Sequence, residues 1–265
     1  MGWRRLSQVI PEGNGLSTDG QYAIELNDVG IEFAINRKEH LRSRDLFIRG
    51  RRARSSERFW ALRNINIAIK PGDTVGFVGP NGCGKSTLLK IIAGVLRPDE
   101  GIVHVRGEIA PLIELGAGFS PELSARDNIY INGMILGMKK AEIDARFEDI
   151  VRFAGIRRFL DSPLKHFSSG MKVRLGFSIV TQLDHPILLI DEVLAVGDRR
   201  FRRKCYRAME EMLAGGRTLV LVSHRDRDIE RFCSRAIYLS EGEVVIDGTV
   251  EEALHRYARD SEEDV

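Results

Sequence analysis

Apolar and polar positions alternate from Tyr22 to Asp28, the period of a strand with one face in a core. The alternation returns over Asn64 to Ile69, and Pro71-Gly72-Asp73 marks a turn into the next strand, Thr74 to Val78. A glycine-rich loop and an apolar helix, Ser86 to Ala93, follow, and short strands fit Ile102 to Val105 and Glu108 to Ile113. The middle of the chain is helical. Ile143, Phe147, Ile150, Val151 and Ala154 fall at the helical spacing of a single buried stripe. From Pro186 the pattern becomes strand, helix, strand, helix over Ile187 to Ile190, Phe201 to Leu213, Thr218 to Ser223 and Asp226 to Phe232. Two strands, Ala236 to Leu239 and Glu243 to Ile246, and a helix to about Tyr257 complete the pattern. Strands alternating with helices predict an α/β fold with a mostly parallel sheet.

Composition narrows the class. A chain of 265 residues that is 43% hydrophobic and 29% charged is long enough for a sizeable core and is not a disordered chain. A formal charge of +2 is too balanced for a general nucleic-acid coat. No apolar run reaches the roughly 18 residues of a membrane span, and the opening Met-Gly-Trp-Arg-Arg is neither a secretory signal nor a myristoylation site. Cys83, Cys205 and Cys233 are too few and too scattered for a disulfide framework or a metal cluster. A reduced, cytosolic protein is expected. Residues 1–20 read as a flexible leader, residues 21–258 as the folded domain and residues 259–265 as an acidic, frayed tail.

The candidate chemistry begins at Gly79-Pro80-Asn81-Gly82-Cys83-Gly84-Lys85-Ser86, with Thr87 following, set between a predicted strand and a predicted helix. This is the G-x-x-x-x-G-K-[ST] phosphate loop. Glycines allow successive backbone N–H groups to face the phosphates, and the helix N-terminus adds its dipole. Lys85 is expected to reach the β- and γ-phosphates and the Ser86 hydroxyl to ligate Mg²⁺. The apolar strand Ile187 to Ile190 ends in Asp191-Glu192, 106 residues beyond Lys85 for the first of these acids. Asp191 is placed to hold the metal's water shell and Glu192 to act as general base on the attacking water. His224, directly after the Thr218 to Ser223 strand, is a third candidate near the phosphates.

Taken with Phe167-Ser168-Ser169-Gly170-Met171-Lys172-Val173-Arg174, these pieces resemble the nucleotide-binding subunit of ABC transporters. That segment resembles the family's L-S-G-G-Q-x-x-R signature, with Ser169 in place of the first Gly and Met171 in place of the Gln. The resemblance implies a P-loop NTPase fold of the ABC ATPase type: a mostly parallel core sheet, an antiparallel β subdomain, and an inserted helical subdomain at about 115–182. It also implies a homodimer that sandwiches two ATP molecules, with Ser168, Ser169, Gly170 and Met171 of one chain capping the γ-phosphate held by the other. Asp198, in Ala195-Val196-Gly197-Asp198, matches the D-loop aspartate, and His224 matches the switch histidine.

Phe-Ser-Ser-Gly-Met, Leu115-Gly-Ala-Gly-Phe119-Ser-Pro-Glu, Asp191-Glu-Val-Leu-Ala-Val-Gly-Asp198 and Phe59-Trp-Ala-Leu62 resemble one subgroup in particular. These are the ATPases of polysaccharide and teichoic-acid exporters of the O-antigen type, which move lipid-linked glycans from the cytoplasmic face of the bacterial membrane through a separate integral-membrane permease. The resemblance also implies the competitors: another cargo such as a drug, lipid or ion, or a non-transport ATPase acting on DNA or ribosomes. The latter usually carries a coiled-coil insert or a paired ATPase unit, and neither is found here. The family's Mg²⁺-sensing glutamine falls at Glu114, which as a carboxylate has no amide donor. The adenine-stacking aromatic falls at Phe33, with Trp60 as competitor and core packing as the plain alternative for both. An ending soon after Tyr257 leads to the expectation that no glycan-reading C-terminal domain follows.

Between Arg37 and Arg58 nine Lys or Arg stand against three acids. A solvated loop, a nucleic-acid patch and a short amphipathic helix on an anionic leaflet or permease surface all remain open for this insert, residues 36–58. Only Phe47 interleaves an aromatic, so nucleic acid is not the expected partner. In the membrane reading, neutralising Arg49, Arg51, Arg52 and Arg54 lowers vesicle association and leaves ATP binding intact, by about 1 kcal/mol at most per charge. Cosedimentation beside an ATP titration checks this, and loss of ATP binding would sink it.

Overall fold

The computed structural model describes residues 21–35, 57–112, 118–191 and 198–263. The leader, Glu114, Glu192 and residues 36–56 of the basic insert lie outside them. The first half of the chain supplies β1 (Ile24–Ile35), β2 (Glu57–Ile69), β3 (Thr74–Val78), α1 (Lys85–Ile92), β4 (Glu100–Val105) and β5 (Ile109–Leu112). Three helices follow, α2 (Ala125–Ile135), α3 (Lys140–Ala154) and α4 (Ser169–Val180). The chain then returns to alternation with β6 (Ile187–Asp191), α5 (Arg199–Ala214), β7 (Thr218–Val222), α6 (Asp226–Phe232), β8 (Arg235–Ser240), β9 (Glu243–Gly248) and α7 (Val250–Glu263).

Six strands form one sheet in the order β5-β6-β7-β3-β8-β9, parallel except for β9, which pairs antiparallel with β8 at the edge. The central strands are buried on both faces, which is why they read as unbroken apolar runs. Leu188 and Ile190 of β6, Leu219 and Leu221 of β7, and Ala236 and Tyr238 of β8 face the helices. The residues between them, Ile187, Leu189, Val220, Val222, Ile237 and Leu239, face α1 and a second sheet. That sheet is antiparallel, β2-β1-β4. The stripe Ile143, Phe147, Ile150, Val151 and Ala154 is buried along α3, as its spacing requires.

Several boundaries depart from the sequence pattern. The helix expected to end near Tyr257 runs on to Glu263, so the start of the acidic segment is helical. Thr249 and Glu252 begin this helix with reciprocal hydrogen bonds, Thr249 N–H to Glu252 Oε2 at 2.9 Å and Glu252 N–H to Thr249 Oγ1 at 3.3 Å. Arg256 donates to Asp260 one turn on, at 2.7 Å, and holds that carboxyl below its ordinary range. The strands β1 and β2 are each longer than the alternation indicated. Of the insert's cations only Arg58 is among the described residues, exposed and paired with Glu32. All three cysteines are free thiols.

Candidate functional site

The loop from β3 to α1 closes on itself through three glycines in the left-handed region. A Cβ on Gly79 (φ 142°) would lie 2.1 Å from the Leu239 carbonyl oxygen. One on Gly84 (φ 107°) would lie 2.6 Å from Leu62 Cδ2 and 2.7 Å from the Ala61 carbonyl oxygen. Only glycine meets both the dihedral and the contact. Gly84 is also the N-cap of α1 and contributes no side-chain cap, so the first amides of that helix stay open to an anion. Lys85 is 6% exposed, and its ammonium donates to the Gly79 and Pro80 carbonyl oxygens, at 2.7 Å each. Cys83 is buried against it, with Sγ 3.7 Å from Nζ. Asn81, Gly82, Gly84, Lys85, Ser86, Thr87 and His224 line one pocket.

Sheet register brings the other candidates level with this loop. Asp191 sits opposite Val222, and Val222 opposite Phe77, two residues before Gly79. Three adjacent parallel strands therefore end in one row, the position where open α/β sheets bind ligands. Asp191 is half-buried at the end of β6 and His224 exposed just past β7. Behind His224 stands a buried carboxylate absent from the sequence reading, Asp228, 3% exposed and bonded to Tyr206 and Ser223. The donor set here is hard oxygen, the Ser86 hydroxyl and the Asp191 carboxylate, beside open helix amides. That set fits a magnesium-bound polyphosphate, because Mg²⁺ takes few protein ligands and shares the rest with water and phosphate.

The antiparallel sheet separates the two aromatic candidates. Ile31 pairs with Leu62 but Glu32 pairs with Trp60, so the register skips Ala61 and the pleat is reset. Phe33 and its partner Phe59 then share the face of Ile31 and Leu62, and it is Leu62 that touches Gly84. Trp60 lies on the opposite face, its ring covering Gly30, where a Cβ would be 2.9 Å from Cζ3. Phe33 and Phe59 are 37% and 47% exposed, with ring centroids 6.1 Å apart. Phe59, part of the Phe59–Leu62 motif but not a stacking candidate from sequence, is a second exposed ring beside Phe33.

Ser168 caps α4, its hydroxyl oxygen accepting the Met171 N–H at 3.2 Å. That leaves the hydroxyl hydrogen to be donated. Ser168 and Ser169 are exposed, Gly170 is half-exposed, and Met171 packs partly into the helix-side core. Asp198 caps α5, accepting the Arg200 and Phe201 N–H groups at 2.9 and 2.8 Å. Its second oxygen accepts from Arg174 of α4, whose guanidinium also lies over the Phe201 ring, 5.3 Å from the centroid. The Phe201 amide, then the Arg174 charge, hold the Asp198 carboxyl below the ordinary range, so it is ionised at neutral pH. The segment Phe167 to Arg174 and Asp198 are thus tied within one chain by an ion pair that their separation in sequence does not announce.

The profile of the ABC transporter family matches residues 62–195. The ABC transporter protein AbcA of Aeromonas salmonicida is 47% identical over 75% of this chain, which spans 65% of that protein, just under two thirds. An O-antigen export system ATP-binding protein RfbB of Klebsiella pneumoniae is 40% identical over 76% of this chain and 81% of its own length. A teichoic acids export ATP-binding protein TagH of Lactiplantibacillus plantarum is 35% identical over 92% of this chain and 67% of its own. Among solved structures, the dimeric ATP-binding cassette MJ0796 bound to ADP and Pi superposes with a TM-score of 0.68 at 24% identity, over 86% of this chain and 98% of that one, which establishes the shared fold. The phosphate loop, the level strand ends and these similarities lead to one assignment: the chain belongs to the ABC transporter family.

Proposed function

We propose that this chain is the ATP-hydrolysing subunit of an exporter that drives a lipid-linked polysaccharide or teichoic-acid-type polymer across the cytoplasmic membrane. The observation that carries the reading is the level row of strand ends, which sets the phosphate loop, Asp191 and His224 side by side in a chain similar to export ATP-binding proteins. In this reading two copies close over two ATP molecules and engage an integral-membrane permease at the cytoplasmic face. No helix among the described residues is long and apolar enough to cross a membrane; in this reading the permease forms the path.

Each residue's role follows from its chemistry. The open amides at the start of α1 and the N–H groups of Asn81, Gly82 and Gly84 hold phosphate oxygens, and Lys85 neutralises them. Mg²⁺, when bound, shields the phosphate charge and polarises the γ-phosphoryl group. Ser86 and Asp191 would hold it. Glu192 takes the proton of the attacking water. His224 donates toward the γ-phosphate, and Ser168 with Gly170 of the second copy offers a hydroxyl and a backbone N–H to it. Asp198 keeps the helix after the metal-binding strand in register with α4.

Phe33 stacks on adenine in this scheme. Phe33→Ala is expected to weaken ATP binding by about 1–3 kcal/mol, the usual loss on removing a base-stacking ring. Trp60→Ala, on the other face of the sheet, leaves affinity near that of the parent. Calorimetric titration of both variants checks the pair, and an equal loss in Trp60→Ala would transfer the role to Trp60.

The cargo is tested by depleting the protein in its native cell and assaying lipid-linked glycans on the cytoplasmic face. Accumulation of one polymer supports the reading and names the cargo. Failing envelope function without any accumulated glycan points to another cargo.

A further inference from the structure

Lys85 and Asp228 are the two buried charged side chains among the described residues. Lys85 belongs to the phosphate loop, while Asp228 has no part in the scheme above. A carboxylate at 3% exposure is strongly destabilising unless donors meet it, and here the donors are specific. The Tyr206 hydroxyl donates to Oδ1, and the Ser223 hydroxyl, 3.2 Å away, donates to Oδ2. Ser223 Oγ in turn accepts the Arg225 N–H at 3.1 Å, and the Asp228 N–H donates to the Arg225 carbonyl at 2.9 Å. Both neighbours of His224 are therefore tied to Asp228, Ser223 through the carboxylate and Arg225 through the Asp228 backbone N–H.

The far end of this chain of bonds is on α5. Tyr206 lies eight residues after Asp198, about 12 Å along the same helix. Its ring is fixed edge-on against Phe232, with centroids 5.3 Å apart, and under the Arg231 guanidinium, 5.0 Å from the centroid. Burial, then the bond to Asp228, raises the Tyr206 hydroxyl above its ordinary pKa, which keeps it a donor at neutral pH. One rigid helix thus carries Asp198 at its start and Tyr206 two turns on. Asp198 is bonded to Arg174 of α4, and Tyr206 to the carboxylate that holds the His224 turn.

We infer that Tyr206, Asp228 and Ser223 are positioning residues for ATP hydrolysis: their hydrogen-bonded chain sets His224 against the phosphate loop and ties it to α5, so that the placement of Asp198 and of His224 are set together. The inference rests on the proposed function, since it takes His224 as a group that faces the γ-phosphate.

The test uses the full chain with Ser223→Ala, Tyr206→Phe and Asp228→Asn, each alone and each combined with His224→Ala. Steady-state ATP hydrolysis and ATP titration are measured beside the melting temperature. Each single variant is expected to lower kcat about tenfold or more while KM stays within about threefold, the pattern of a misplaced group rather than a lost binding contact. Combined with His224→Ala, each is expected to add almost nothing, because its effect passes through that imidazole. Ser223→Ala and Tyr206→Phe each remove one hydroxyl, so they keep the test open should Asp228→Asn fail to fold. Unchanged kcat in these two variants, or losses that add in full to that of His224→Ala, overturn the inference while the site assignment stands. A parent chain without turnover overturns the proposed function and this inference with it.

Discussion

Glu192→Gln is expected to bind ATP as the parent chain does, hydrolyse it about 10²–10⁴-fold more slowly, and accumulate as an ATP-trapped dimer. Glutamine keeps the size and the hydrogen-bonding reach of glutamate but cannot accept the proton that the attacking water must lose. In the proposed scheme phosphate binding is carried by other groups, the buried Lys85 and the open amides of α1, and these are untouched. Binding and chemistry should therefore separate in this one variant. In the proposed scheme hydrolysis reopens the dimer, so removing hydrolysis removes that step too. Size-exclusion chromatography with and without ATP, beside a phosphate-release assay, reads both effects. Unchanged turnover would refute the general-base assignment, and the order Asp191-Glu192 would then need another base within reach of the row of strand ends.

What the sequence disclosed follows from how each element is buried. The parallel strands β3, β6 and β7 carry apolar residues on both faces, so their limits were legible almost to the residue. The phosphate loop was legible because its glycines answer to backbone geometry that few other residues adopt. The long strands of the antiparallel sheet were cut short, and the structure gives the reason. The β1 register shifts three times along β2, and Asp28 and Asn64 take positive φ of 49° and 51°. Those two residues are where the alternation appeared to end in one strand and begin in the other. The same irregularity, the skipped Ala61, decides which face Phe33, Phe59 and Trp60 occupy, and no periodicity along a single strand reports that. The pairs Arg174–Asp198 and Tyr206–Asp228 join residues 24 and 22 positions apart across elements. Such contacts exist only once the helices have packed. The final helix was underestimated because an acidic run reads as solvated tail, whereas Arg256 one turn before Asp260 offsets the charge.

Lys85→Ala is expected to weaken ATP binding by roughly 100-fold, taking about 1.5–3 kcal/mol for a hydrogen bond to a charged group. The loop geometry explains why the loss should fall on binding rather than on folding. The ammonium is held inside its own loop by the Gly79 and Pro80 carbonyls, so it is already in place when phosphate arrives and orders little on binding. Alanine at a helix N1 position keeps α1 intact, and the three left-handed glycines that shape the loop remain, so the melting temperature should move little. Lys85→Arg separates charge from fit. Its charge is retained, but the planar guanidinium is larger than an ammonium and the slot leaves only 6% of Lys85 exposed. If charge alone mattered, arginine would restore affinity. The enclosed slot instead leads to the expectation that arginine binds ATP nearly as poorly as alanine, with a lower melting temperature from overpacking against Cys83 and the two carbonyls. Titration of ATP into both variants distinguishes the two, and parent-like affinity in Lys85→Ala would remove the loop from the phosphate site altogether.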